Sequence, residues 1–265
     1  MAIVVFTLLD TMLYLMAAAI LALPLLHRRP QPRLVGLGFG TLGTLLHFAI
    51  LFGAHRGEVD LHFFAALSVV GACIAALCLI VNLSRPVATL GVIVFPMASL
   101  LLGIDVFFAP PTQPLAMEWQ IKLHVVIALL GYSVLSIAAV IAILLALQER
   151  ALHARKFDGL VRTLPPLTLT EALMFRLIGT GFILLTLTLI TGALFVTNLL
   201  DQHLAHKTIL SVAAWLVFGT LLFGRWRHGW RGRRAVNLTL AGMGLLLFAF
   251  FGSRFVLEVV LKRVP

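Results

Sequence analysis

Trp119–Glu149 reads WQIKLHVVIALLGYSVLSIAAVIAILLALQE. An aromatic residue and a lysine open it, His124 follows, and apolar residues then run without a charge until Gln148 and Glu149. At about 1.5 Å rise per residue, that run crosses a hydrocarbon core of about 30 Å. Trp119 and Lys122 have the chemistry of interfacial anchors, which places His124 just inside one membrane face. A histidine at that depth is either an interfacial residue or a ligand.

The chain around this helix is of the same kind. Of its 265 residues, 61% are hydrophobic and only 11% charged, with a mean hydropathy of +1.09. A soluble domain carries roughly 25% charged residues, so the composition is that of an integral membrane protein. The net charge of +10 would suggest nucleic acid in a soluble chain. Here the basic residues fall in short links between apolar runs, a pattern of membrane topology, and nucleic-acid binding is set aside. Cys73 and Cys78 lie five apart in one run, on different faces of a helix, and read as packing residues. There is no C-x-x-C-H, so the chain is not itself a c-type cytochrome. No Lys or Arg precedes the first apolar run, which therefore reads as a retained helix rather than a signal peptide.

Eight runs are long enough to span: 2–26, 34–54, 61–83, 87–108, 121–148, 173–199, 208–224 and 235–260. The expected fold is all-α, a polytopic transmembrane bundle of about eight helices forming a single integral membrane domain over residues 1–265. Only Glu149 to about Thr170, with Pro165 and Pro166, leaves room for a small surface element. Fourteen Lys and Arg residues follow runs one, three, five and seven, among them Arg28, Arg150 and the cluster Arg225–Arg234. Six lie on the other side: Arg56, Lys122, Lys207, Arg254, Lys262 and Arg263. The positive-inside rule then puts both termini in the periplasm or its equivalent. The Arg225–Arg234 stretch reads as a loop facing anionic lipid.

Orientation sorts the nine histidines. His27, His153 and His228 fall in the inner loops. His55, His62, His124, His203 and His206 collect toward the outside, and His47 sits in run two, about 10 Å from its outer end. Buried ionisable groups in membrane helices are costly, so His47 reads either as a neutral imidazole bonded to a backbone carbonyl on a neighbouring helix or as a functional residue. His124 and His206 each begin a spanning helix at the same depth, beside Lys122 and Lys207. Imidazoles for iron with cations for propionates would suit haem. A bare transition metal would also suit His203-x-x-His206. Against a permease stands the scarcity of acids inside the runs, where Asp105 alone comes near that role. Tyr132, eight residues after His124, falls on the same face two turns deeper and is placed to line a pocket. Gly36, Gly38, Gly40 and Gly43, like Gly179 and Gly181, read as close helix packing; Thr191 and Thr197 read as bonded to backbone carbonyls.

His124-Val-x-x-x-x-Leu-Gly-Tyr132 resembles the His-Val…Gly-Tyr helix of the cytochrome c assembly proteins of the CcsA/CcmC haem-handling type. His206-Lys207 through Trp215 to Arg225 and Gly229-Trp230-Arg231-Gly232 looks like a later helix of that family with its trailing loop. The eight-run layout and short length look most like its HemX/YpjD branch. The tryptophan-rich WWD segment of the family is absent, its place taken by Val196–Lys207, which has no tryptophan. On this resemblance His124 matches a family histidine, as does His47, and His206 stands as a substitute in the shortened WWD region. It implies haem binding, transfer or haem-linked regulation rather than thioether chemistry.

The combined expectation is a bacterial inner-membrane protein with an outward pocket formed by runs two, five and seven. It would hold haem b non-covalently, with His124 as one axial ligand, His206 or His47 opposite, and Lys122, Lys207 and Arg56 pairing with propionates. No nucleophile–base–orienter set is visible, so no enzyme is expected. Membrane lipids and proteins of cytochrome c biogenesis or the haem pathway are the expected partners. The competing readings are a cofactor-free structural or regulatory membrane subunit and a small-molecule or metal permease.

Overall fold

The computed structural model describes residues 2–26, 33–54, 63–84, 89–109, 118–154, 166–195 and 202–252. Eight helices carry the chain: α1 Ala2–Leu26, α2 Arg33–Ala54, α3 Phe63–Ser84, α4 Leu90–Phe108, α5 Trp119–His153, α6 Leu167–Phe195, α7 Gln202–His228 and α8 Arg233–Leu247. A short π-helical turn, Phe248–Gly252, follows α8. All eight are long and apolar enough to cross a membrane, and no strand occurs among the described residues. Their outer faces carry large apolar side chains such as Val5, Leu8, Phe52, Ile183 and Leu216, the surface a bilayer solvates.

Several boundaries differ from those of the apolar runs. α5 continues past Gln148, Glu149 and Arg150 to His153, and α6 begins at Leu167 rather than 173. Polar residues end a hydropathy run but do not end a helix, whose backbone bonds are satisfied regardless. At about 1.5 Å per residue the 35-residue α5 is longer than the hydrocarbon core is thick.

The chain divides into two compact units, Met1–Leu115 with Ala151–Pro166 and Ala116–Arg150 with Leu167–Pro265. In the first unit, α1 packs against α2 and α4, and α3 against α2 and α4. The glycines of α2 set the α1–α2 approach. A Cβ on Gly36 would lie 2.7 Å from Leu21 Cδ2, one on Gly43 would lie 3.0 Å from Tyr14 Cδ1, and one on Gly40 would collide with the Phe95 ring. Gly38 meets nothing within 4 Å, so three of the four expected packing glycines are used and the fourth faces away. Phe95 stacks on Tyr14 with ring centroids 5.6 Å apart, and Ala17, Ile74, Val94, Ala98 and Leu102 fill the core around them.

In the second unit α5 meets α6 where Gly181 faces Leu135 and Gly131 faces Leu184. Gly179 faces open space. α6 meets α7 through Phe182 stacked on Trp215 at 5.4 Å, while Trp215 Nε1 donates to Thr186 Oγ1 at 2.9 Å. α7 meets α8 where Gly242 admits the Phe218 ring. These pairs run in opposite sequence directions, so neighbouring helices are antiparallel. α5 therefore begins where α6 ends and α7 begins. Cys73 and Cys78 are both free thiols, Cys78 buried.

Candidate functional site

His124 lies five residues into α5, half-buried against α6. Its Nδ1 is 2.9 Å from Thr191 Oγ1. Thr191 is one turn from the end of α6, and its hydroxyl also reaches the carbonyls of Leu187 at 2.8 Å and Thr188 at 3.1 Å. A hydroxyl has one proton. With that proton on a carbonyl, the Thr191 oxygen can only accept, which puts the imidazole proton on Nδ1 and the lone pair on Nε2. This is the arrangement that orients a metal-ligating histidine: one nitrogen held by the protein, the other presented as a donor. Gly192 makes the approach possible, since a Cβ there would lie 3.2 Å from the His124 ring. Trp119 packs near Phe195 at 6.4 Å and closes the same end of the helix pair.

His206 is exposed near the start of α7, with Lys207 beside it half-buried. The antiparallel pairing of α5 with α6 and of α6 with α7 brings His206 to the same end of the unit as His124. Their levels differ by about one helical turn. Lys122 is exposed two residues before His124. Arg56, with His55, His62 and Thr197, lies outside the described residues. Among the described residues no group of three or more His, Cys, Asp and Glu is arranged to hold a bare metal ion.

Tyr132 is buried, and its hydroxyl donates to the Leu246 carbonyl at 2.7 Å while its ring lies 5.7 Å from Phe250. The contact falls where α8 gives way to the π turn, a change of winding that releases backbone groups from the regular ladder. Tyr132 thus ties α5 to the end of α8.

His47 belongs to the first unit and is fully buried. Nδ1 is 3.3 Å from the Tyr14 hydroxyl and Nε2 is 3.1 Å from Ser68 Oγ. Both ring nitrogens are therefore engaged by side chains of α1 and α3, where the sequence suggested a backbone carbonyl.

Two functional groups were missed in the sequence. Asp10, in the middle of an apolar run, is 0% exposed, so Asp105 is not the sole intramembrane acid. Its signal was plain: an acid with a tyrosine four residues on. Glu171 falls before run six as drawn but is buried within α6. It accepts from Arg225 at 3.0 Å and Arg231 at 3.1 Å. Arg225 also donates to the Trp230 carbonyl at 3.2 Å and covers the Phe175 ring at 4.6 Å. Two arginines of the expected lipid-facing loop, Arg225 and Arg231, thus share the single carboxylate of Glu171, while Arg227, Arg233 and Arg234 are exposed with Trp226.

The model of the family described as cytochrome C assembly protein matches residues 32–261. The chain is 39% identical over 137 residues to the inner membrane protein YpjD of Escherichia coli K12, a match covering 52% of each chain. It is 38% identical over 143 residues to an uncharacterised 28.8 kDa protein of Azospirillum brasilense, covering 53% of each. The match thus spans about half the length of these curated relatives. Over 180 residues it is 24% identical to the cytochrome c biogenesis protein CcsA of Chlamydomonas reinhardtii, covering 64% of this chain and 49% of that one. No solved structure matches the chain.

Proposed function

Since the chain belongs to the cytochrome c assembly protein family, we propose that it handles haem in the bacterial inner membrane, binding or passing it in support of cytochrome c biogenesis. The observation that carries this reading is the His124–Thr191 pair. Thr191 holds Nδ1 at 2.9 Å, so Nε2 is the nitrogen that would ligate iron. His206, at the same end of the second unit, is the proposed second ligand. Lys122 and Lys207 are the proposed propionate partners. His47, with both nitrogens engaged, is assigned to the core of the first unit instead. The relatives named as an inner membrane protein and as cytochrome c biogenesis proteins support the location and the process.

Bound haem would supply a redox-active iron, which His124 and His206 would hold. The protein's part is to hold the ring at the membrane face, fix the His124 tautomer and neutralise the propionates. No enzymatic activity is proposed.

The test is an absorption spectrum of the purified protein in mild detergent, oxidised and then reduced with dithionite, after reconstitution with haem b. A Soret band with sharp reduced α and β bands, absent in His124→Ala, is the expected result. A featureless spectrum in the reconstituted wild type would remove the haem site and leave the cofactor-free membrane subunit as the reading.

A further inference from the structure

The core of the first unit contains a chain of ionisable and hydroxyl groups that the haem reading does not use. Asp10 is 0% exposed, and neither carboxyl oxygen has a hydrogen-bond partner among the described residues. One turn on, and so on the same face of α1, Tyr14 is also 0% exposed. The Tyr14 hydroxyl lies 3.4 Å from Thr44 Oγ1 and 3.3 Å from His47 Nδ1, and His47 Nε2 lies 3.1 Å from Ser68 Oγ.

Proton positions in this chain are interchangeable. Thr44 donates to the Gly40 carbonyl at 2.8 Å, so its oxygen can accept from Tyr14. In that arrangement the Tyr14 oxygen accepts from His47 Nδ1 and Nε2 accepts from Ser68. Reversed, Tyr14 donates to Nδ1 and Nε2 donates to Ser68. With both ring nitrogens protonated, each donates, to Tyr14 and to Ser68. All three states keep every ring nitrogen bonded, so a proton can enter the imidazole without orphaning a buried group. A positive imidazole would then share the core with the Asp10 carboxyl, one turn from Tyr14.

The polar groups of the column are placed from the middle of α1 toward one membrane face only. Tyr14 against Gly43, Leu21 against Gly36, His47 against Ser68 and Gly71 against Leu101 make the four helices alternate in direction. Asp10 lies about 12 Å and Tyr14 about 18 Å from the start of α1. Buried Thr7 extends the column one turn outward from Asp10, and Asp105 lies near the end of α4 at the same face. Deeper in, Phe95 stacks on Tyr14, and Ala17, Leu21, Ile74 and Val94 are apolar and buried. The other titratable groups of the helices around the column are Arg33 at the start of α2, which donates to the Asn82 carbonyl, Asp105 of α4 and the thiols Cys73 and Cys78 of α3. The thiols lie five and ten residues beyond Ser68.

We propose that Asp10, Tyr14 and His47 form an intramembrane proton site, a carboxyl–phenol–imidazole chain that exchanges a proton with the face where α1 begins and conducts none across. An unpartnered carboxylate in hydrocarbon is costly, and a proton stored on Asp10 or His47 removes that cost.

The test uses the full chain in lipid nanodiscs, uniformly labelled on aspartate with carbon-13, studied by infrared difference spectroscopy in water and deuterated water. The expected result is a protonated-carboxyl carbonyl band that shifts with the label, shifts again on deuteration and is lost in Asp10→Asn. A wild type with no such band at any pH overturns the proposal, because the carboxyl is then ionised and held by a cation; so does a band that never deuterates. In sealed vesicles with an internal pH dye, protein-containing membranes should hold a proton gradient as long as protein-free ones. A faster collapse that Tyr14→Phe reverses would overturn the one-sided geometry. Asp10→Asn should bind added haem b as the wild type does, so failure of this proposal and failure of the haem reading are separately visible.

Discussion

A side chain held through one atom can be tested by removing that atom. Thr191→Val keeps the volume of Thr191 but removes the oxygen that fixes His124 Nδ1. It should weaken haem affinity about 10–100-fold, as loss of an orienting partner typically does. Haem titration followed at the Soret band measures this. Thr186→Val, which removes the acceptor of Trp215 from the same helix, should leave that affinity unchanged. The α2 glycines make a second test. Gly40→Ala drives a methyl group into the Phe95 ring, which is itself buried and stacked on Tyr14 and has nowhere to move. It should cost about 1–3 kcal/mol. Gly38→Ala, with nothing within 4 Å, should stay within about 1 kcal/mol of the wild type or exceed it. Unfolding midpoints in detergent separate the two, and equal midpoints would remove the packing role assigned to Gly40.

At the scale of elements, the connection between α7 and α8 is held by one buried acid. Glu171 of α6 receives Arg225 from the end of α7 and Arg231 from the link itself. Gly229 at φ 64° and Gly232 at φ 58° supply the left-handed backbone that turns the chain back, and Trp230 fills the space left by Gly224. Removing Glu171 leaves two arginines without their carboxylate beside a buried surface. Glu171→Ala should therefore destabilise by about 1–3 kcal/mol, less than a fully buried pair because Arg231 is largely exposed. Limited proteolysis should show faster cleavage between Arg227 and Arg234. Arg227→Ala removes an exposed charge and should stay within about 0.5 kcal/mol of the wild type. Were both variants equally stable, the Glu171 contacts would be incidental.

For the whole molecule, the measurable quantity is topology. The 14 basic residues on the side of the Arg28, Arg150 and Arg225–Arg234 links, against six on the other, predict a cytoplasmic location for those links. A cysteine introduced at Ser253 in a Cys73→Ala, Cys78→Ala background should react with an impermeant thiol reagent from the periplasmic side. One at Gly229 should react only after the membrane is opened. The reverse pattern would put the Arg28, Arg150 and Arg225–Arg234 links in the periplasm.

Hydropathy alone determined that this is a bundle of eight spanning helices, because a bilayer admits little else for runs of that length and composition. The same local signal placed His124 near a helix start and marked the small residues as packing sites. Partner choice was not legible. That Thr191 holds His124, that Tyr14 and Ser68 take both nitrogens of His47, and that Glu171 gathers two arginines each depend on residues 21 to 67 positions apart. Only antiparallel packing brings such pairs to one level. Asp10 shows the limit most sharply: an acid in an apolar run is visible as a letter, but whether it faces lipid, a partner or an unpaired core is decided by how the helices rotate against one another. Rotation about a helix axis leaves hydropathy unchanged, so the tertiary structure alone sets it.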